Sequence, residues 1–289
     1  MIETSGAETV LKGSVAEGSA AGVGAELAAL FDRIGGTSDR LQWVHRHVAT
    51  HLSGPPEPTL DRAFAAVAVA IDAQAQAFDR NPYHNRQHFC EVVLTAHALC
   101  SLQRMDAATT QFVLLAALIH DFVHDGGTHP AFLQERASID SARPLLLEAG
   151  LLPLQVARMA ALVLATDTAE GTAYMAAACL AHAKGVACTA KVPPSAPELA
   201  ALAEDPGLAL LARILCEADI LPSIGLDLAH GMRVQERLAS EWDRPLDVKD
   251  KLAFIGRVLQ QGYVSDFFLP NVEAMRDALV EGSHASRQG

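Results

Sequence analysis

Apolar residues recur at helical spacing from Ala25 onward. Leu27, Leu30, Phe31 and Ile34 form one such series, and Leu41, Val44, His45 and Val48 continue it up to the breaker Ser-Gly-Pro-Pro-Glu-Pro at 53–58. Long segments rich in Ala, Leu and Glu follow, interrupted by loop signals at 81–85, 124–130, 150–153, 184–197 and 243–246. Alternating β-branched runs of strand length are absent. The pattern therefore predicts an all-α fold, with residues 227–242 and 248–268 as long late helices. Residues 1–24 carry Gly, Ala, Ser and Glu without apolar period and read as a mobile tail. Residues 25–57 read as an N-terminal helical cap, and 58–285 as one compact helical domain.

Composition narrows the functions open to such a domain. Half of the 289 residues are hydrophobic, enough for a substantial core. Lys and Arg total 22 against 34 Asp and Glu, a net charge of −12 that opposes a broad electrostatic grip on nucleic acid or anionic lipid. An acidic protein that binds a small phosphate needs a local positive charge, and a metal ion is the usual source. The five cysteines (Cys90, Cys100, Cys179, Cys188, Cys216) form no Cys-x-x-Cys pair, which predicts neither a disulfide framework nor a zinc knuckle. The N-terminus resembles no secretion signal, and the apolar stretches 63–71 and 112–119 are too short to span a bilayer. A cytoplasmic setting and a small-molecule partner are the expectation, with oligomeric state open.

Six of the twelve histidines fall between His84 and His129. Asn81-Pro-Tyr-His84-Asn-Arg-Gln-His88 reads as a loop opening a helix, with His84 near its start and His88 one turn deeper. Leu118-Ile-His120-Asp121-Phe-Val-His124 is the polar end of an apolar helix. An adjacent His-Asp pair, joined by another imidazole and a distant carboxylate, makes a mixed N/O site suited to zinc, iron or manganese. Any one of these histidines alone is more often a core or capping residue. Ionisable groups gathered at an apolar helix end point to a shared partner instead.

In these residues the chain resembles the catalytic domains of the class I 3′,5′-cyclic nucleotide phosphodiesterases, a branch of the HD superfamily. They carry Tyr-His-Asn-x-x-His followed by His-Asp-x-x-His, matched here by Tyr83 to His88 and His120 to His124. Downstream, Leu164-Ala-Thr-Asp167, Ala218-Asp219, Gln260-Gln-Gly-Tyr263 and Phe268-Leu-Pro270 resemble further family segments. The correspondence runs nearly continuously over residues 63–279, and the N-terminal part has no counterpart. There are departures too. Asp125-Gly126 replaces the usual Pro-Gly, Asp140 stands at the position of a family glutamate, Leu221-Pro222-Ser223 replaces Ser-Asn-Pro, and Tyr263 replaces the clamp phenylalanine.

The resemblance implies hydrolysis of a 3′,5′-cyclic nucleotide, cAMP or cGMP, to the 5′-monophosphate. It implies two divalent ions. His88, His120, Asp121 and Asp219 would hold one, zinc, and Asp121 would bridge to a second, magnesium or manganese. A hydroxide shared by the ions would be the nucleophile, His84 the general acid, and His124 and Asp140 the groups that orient water. Tyr83, Gln260 and Tyr263 would contact substrate, Gln260 at the base edge. Three other readings compete: an HD-type hydrolase of another phosphate ester, a di-iron oxidase on the same fold, and a catalytically silent nucleotide-binding module. Asp167 reads as a structural hydrogen-bond acceptor below the site. His47 and His51 share a helix face, while His182, His230 and His284 have no evident partner.

Overall fold

The computed structural model describes residues 19–285; the tail predicted over 1–24 lies mostly outside the described residues. Among the described residues there are fourteen α-helices and no strand, as the apolar period predicts. The first five are α1 (Ala20–Ile34), α2 (Arg40–His51), α3 (Pro58–Ala73), α4 (Ala75–Phe78) and α5 (Arg86–Leu102). Then come α6 (Ala107–Ile119), α7 (Leu133–Glu148), α8 (Pro153–Leu164), α9 (Gly171–Lys184) and α10 (Ala200–Glu204). The chain closes with α11 (Pro206–Ile224), α12 (Leu228–Glu241), α13 (Val248–Gln261) and α14 (Leu269–Ala285). None of the described helices is long and apolar enough to cross a membrane.

Two boundaries differ from the sequence reading. Helix α1 begins at Ala20, inside the stretch read as tail, because the Ser19 hydroxyl caps it by accepting the Gly22 N–H at 3.2 Å. Helix α13 stops at Gln261 rather than at 268, since Gly262 adopts a left-handed φ of 68° and ends the helix. The N-terminal helices share the main core: Leu27, Phe31, Leu41 and Val44 join the same apolar cluster as Leu115, Leu162 and Phe268.

Helices α5, α6 and α11 are the centre. From Arg86 to Cys100 every α5 side chain is buried, which only a helix wrapped on all sides allows. Helix α6 is apolar all round from Val113 to Ile119 and packs against α5, α3, α8 and α11. Each fully buried Leu or Ile there contributes about 1.5–3 kcal/mol. N-caps set the phase of the helices: Asn85 accepts from Gln87 and His88 to start α5, Asp106 from Thr109 for α6, and Asp205 from Leu208 for α11. Arg86 pins the start of α5, bonding Asp72 of α3 and Asp79 beyond α4. This arrangement brings the polar ends of the three central helices together.

Candidate metal centre

His88 projects from the first turn of α5, His120 and Asp121 follow α6, and Asp219 comes from α11. Their ligand atoms converge. The Nε2 atoms of His88 and His120 are 3.3 Å apart; His88 Nε2 lies 3.3 Å from Asp121 Oδ2 and 3.2 Å from Asp219 Oδ1. His120 Nε2 lies 3.1 and 3.5 Å from the same two oxygens. A tetrahedral ion with bonds of about 2.0–2.1 Å spaces its ligand atoms about 3.3–3.4 Å apart, close to the spacing of His88, His120 and Asp121, whose ligand atoms form one compact group, with Asp219 approaching both imidazoles. His120 Nδ1 is 2.7 Å from the Ala117 carbonyl, so it donates there and leaves Nε2 a bare lone pair.

The two imidazoles and two carboxylates shift one another's ionisation. Burial disfavours charge on His88, yet the carboxylates of Asp121 and Asp219 overcome it and lift its pKa to about 9. His120 is driven the same way against its own burial, while both carboxylates are held below their ordinary range by the two imidazoles despite desolvation.

A second group adjoins the first. Asn85 takes the cap, so His84 sits in the turn just before α5, near the helix start as expected. The His84 ring stacks on His124 with centroids 3.8 Å apart, and Asn81 donates to the carbonyls of both residues at 3.0 Å. His84 Nδ1 bonds the carboxylate of Glu241, at the end of α12, which also accepts the backbone N–H groups of Tyr83 and His84 at 2.8 and 2.9 Å. His124 Nδ1 accepts the Gly126 N–H at 3.0 Å, which leaves its proton on Nε2. Burial, with His84 alongside, holds the His124 pKa down to about 4 although Asp121 pulls the other way, so the ring is neutral. Gly126 has φ 82°, and a Cβ there would come within 3.1 Å of Asn81 and 3.2 Å of Glu241, so glycine is required.

One cavity of about 440 Å³ is lined by His120, Asp121, Asp219, His84, His124 and Tyr83. Tyr83 is buried, its ring 4.6 Å from that of His88. Three expected site residues are elsewhere. Asp140 is exposed on α7 and pairs with Arg143 at 3.3 Å. Gln260 is exposed in the last turn of α13, beyond the residues of that helix that line the cavity, Asp250 to Arg257. Tyr263 is buried behind the site without lining it, its carbonyl held by Arg213 at 2.8 Å.

Other groups line the cavity. Glu135 lines the cavity, and burial, reinforced by Asp167 and Asp121, raises its pKa to about 7. Apolar surface comes from Ile220, Leu238 and Phe254. Asp167 has the structural role expected of it: Oδ1 accepts from Ala169, Glu170 and Gly171, and Oδ2 from Phe132. His230 has a partner after all, Glu91 at 3.4 Å in the core. His284 has no described side chain. The contacts of Glu241 and Glu135 carry no local signal in the sequence.

Solved structures share this architecture. The phosphodiesterase domain of the RhoPDE fusion protein from the choanoflagellate Salpingoeca rosetta superposes with a TM-score of 0.60 at 20% identity, over 91% of this chain and 93% of that one. The chain has the phosphodiesterase-domain fold. LmjPDEB1 in complex with IBMX, with a TM-score of 0.59 at 15% identity over 88% of each chain, has that fold too. No family model and no curated protein matches the sequence. In phosphodiesterase-fold terms, the His88, His120, Asp121 and Asp219 cluster sits among the central helices α5, α6 and α11.

Proposed function

We propose that the protein hydrolyses a 3′,5′-cyclic nucleotide to the nucleoside 5′-monophosphate. The observation that carries this reading is the convergence of two imidazoles and two carboxylates at 3.1–3.5 Å, beside a separate histidine locked to a buried glutamate. His88, His120, Asp121 and Asp219 would hold zinc, and a second ion, magnesium or manganese, would share Asp121; the ions would supply Lewis acidity to water and to the phosphoryl oxygens. His84 is the general acid. Its Nδ1–H is committed to Glu241, which leaves Nε2 to carry a proton to the departing 3′ oxygen. The neutral His124 points an Nε2–H donor for water or phosphoryl oxygen. Glu135 lines the same cavity with its pKa lifted to about 7 by burial, which suits it to exchange a proton with water there. Residues 58–285 form the catalytic unit and 20–57 pack onto it.

The test is a product assay on protein loaded with zinc and magnesium or manganese. cAMP, cGMP, a 2′,3′-cyclic nucleotide and 5′-monophosphates are offered separately, with products resolved by chromatography. Conversion of a 3′,5′-cyclic substrate to its 5′-monophosphate, abolished by Asp121→Ala, is expected. The exposed position of Gln260 favours a second reading, hydrolysis of another nucleotide ester, and turnover of only the other substrates would establish it.

A further inference from the structure

Lys251 lines the same cavity as the metal ligands, is 5% exposed, and has no carboxylate partner among the described residues. Its Nζ donates to the Gly231 carbonyl at 2.7 Å and to Ser223 Oγ at 3.4 Å. An ammonium has three N–H groups, so one remains unused. A buried cation without a counter-charge is strongly unfavourable and calls for an electronegative partner. Burial alone lowers its pKa, to about 8, so the group is still largely charged at neutral pH.

Its location indicates which part of a ligand that partner belongs to. Ser223 follows Asp219 by four residues on α11, so the two share a face about 6 Å apart. Lys251 reaches Ser223 from α13. Asp219, Ser223 and Lys251 line one cavity, so a nucleotide whose phosphate lies at Asp219 can reach Ser223 and Lys251 with its base. Ile220, Leu238 and Phe254 supply apolar lining suited to the faces of a base. The ammonium offers donors only, and Ser223 Oγ, which accepts from Lys251, holds it in place while keeping its own O–H to donate. The edge of a 6-oxopurine presents two acceptors, O6 and N7, whereas adenine places a donor amino group at the 6 position.

We propose that Lys251, with Ser223, selects a 6-oxopurine base, so that guanine-type cyclic nucleotides are preferred to adenine-type ones. The proposal rests on the cyclic-nucleotide reading above. Cyclic IMP and cyclic AMP differ only at the 6 position and the protonation of N1, which makes them the discriminating pair. Steady-state kcat/KM is measured for both on metal-loaded wild type, Lys251→Met and Ser223→Ala.

In wild type, cyclic IMP should be favoured by about tenfold or more, the worth of one charged hydrogen bond. The ratio should approach one in Lys251→Met and fall part-way in Ser223→Ala. Equal efficiency in wild type, or a preference that survives both substitutions, overturns the proposal while leaving the reaction intact. Turnover of neither nucleotide by metal-loaded wild type removes the reaction itself, and this inference with it. Should Lys251→Met fail to fold, the wild-type ratio and Ser223→Ala still decide.

Discussion

Glu241 Oε2 accepts the backbone N–H of His84 at 2.9 Å while Oε1 meets the imidazole Nδ1 of the same residue, 157 positions earlier in the chain. One carboxylate thus fixes both the place and the tautomer of the ring. Burial raises the Glu241 pKa, but the His84 ring and the two backbone N–H groups more than reverse this, so the side chain stays ionised.

Glu241→Gln keeps the shape and removes the charge. We expect kcat to fall about 10- to 100-fold, less than the loss of about 10²–10⁴ expected for His84→Ala, with metal content unchanged in both. Plasma emission analysis beside turnover assays checks this. A normal kcat in Glu241→Gln would mean that the carboxylate does not tune the acid.

Glu135 and Asp140 lie on one helix but answer differently. Five residues advance about 500°, so Asp140 lies some 140° round α7 from Glu135 and faces solvent. Glu135→Gln should lower kcat/KM by at least tenfold and remove a pH-rate inflection near 7; Asp140→Asn should remain within twofold of wild type. The reverse ranking would give the role to Asp140, as the family resemblance implies.

Gly171 opens α9 against the end of α8. A Cβ there would lie 2.3 Å from the Leu164 carbonyl oxygen and 3.0 Å from that of Ala165, both backbone atoms that cannot swing away. Gly171→Ala should therefore destabilise by about 1–3 kcal/mol. It also displaces the N–H that bonds Asp167 at 3.2 Å in the cavity wall. Urea unfolding measures the loss, and a gain in stability would contradict the packing described.

His97 of α5 and His47 of α2 are both pushed down to about 4, by burial first and then by neighbouring histidines. Each is bound neutral, below its unfolded value of about 6.5. Their stabilisation is complete above pH 6.5 and is lost as pH falls from 6.5 towards 4. For the buried His97 this is on the order of 3 kcal/mol. Wild-type Tm should drop across that window, and His97→Gln should flatten the drop. A Tm independent of pH from 7 to 4.5 would rule the effect out.

The sequence by itself determined the helices and the kinds of ligand. Period, caps and breakers are short-range, and so are Tyr83 to His88 and His120 to His124, whose spacing within a turn or two is set by backbone geometry. Asp219 was legible only through resemblance. The tertiary structure decided what depends on how helices far apart in sequence pack: Glu241 on His84, Glu135 rather than Asp140 in the cavity wall, and Lys251 against Ser223. It also decided where the cavity ends, leaving Gln260 one turn past Arg257 and exposed. A helix's sequence fixes which residues share a face. Only the neighbours packed against that face decide how far along it the cavity extends.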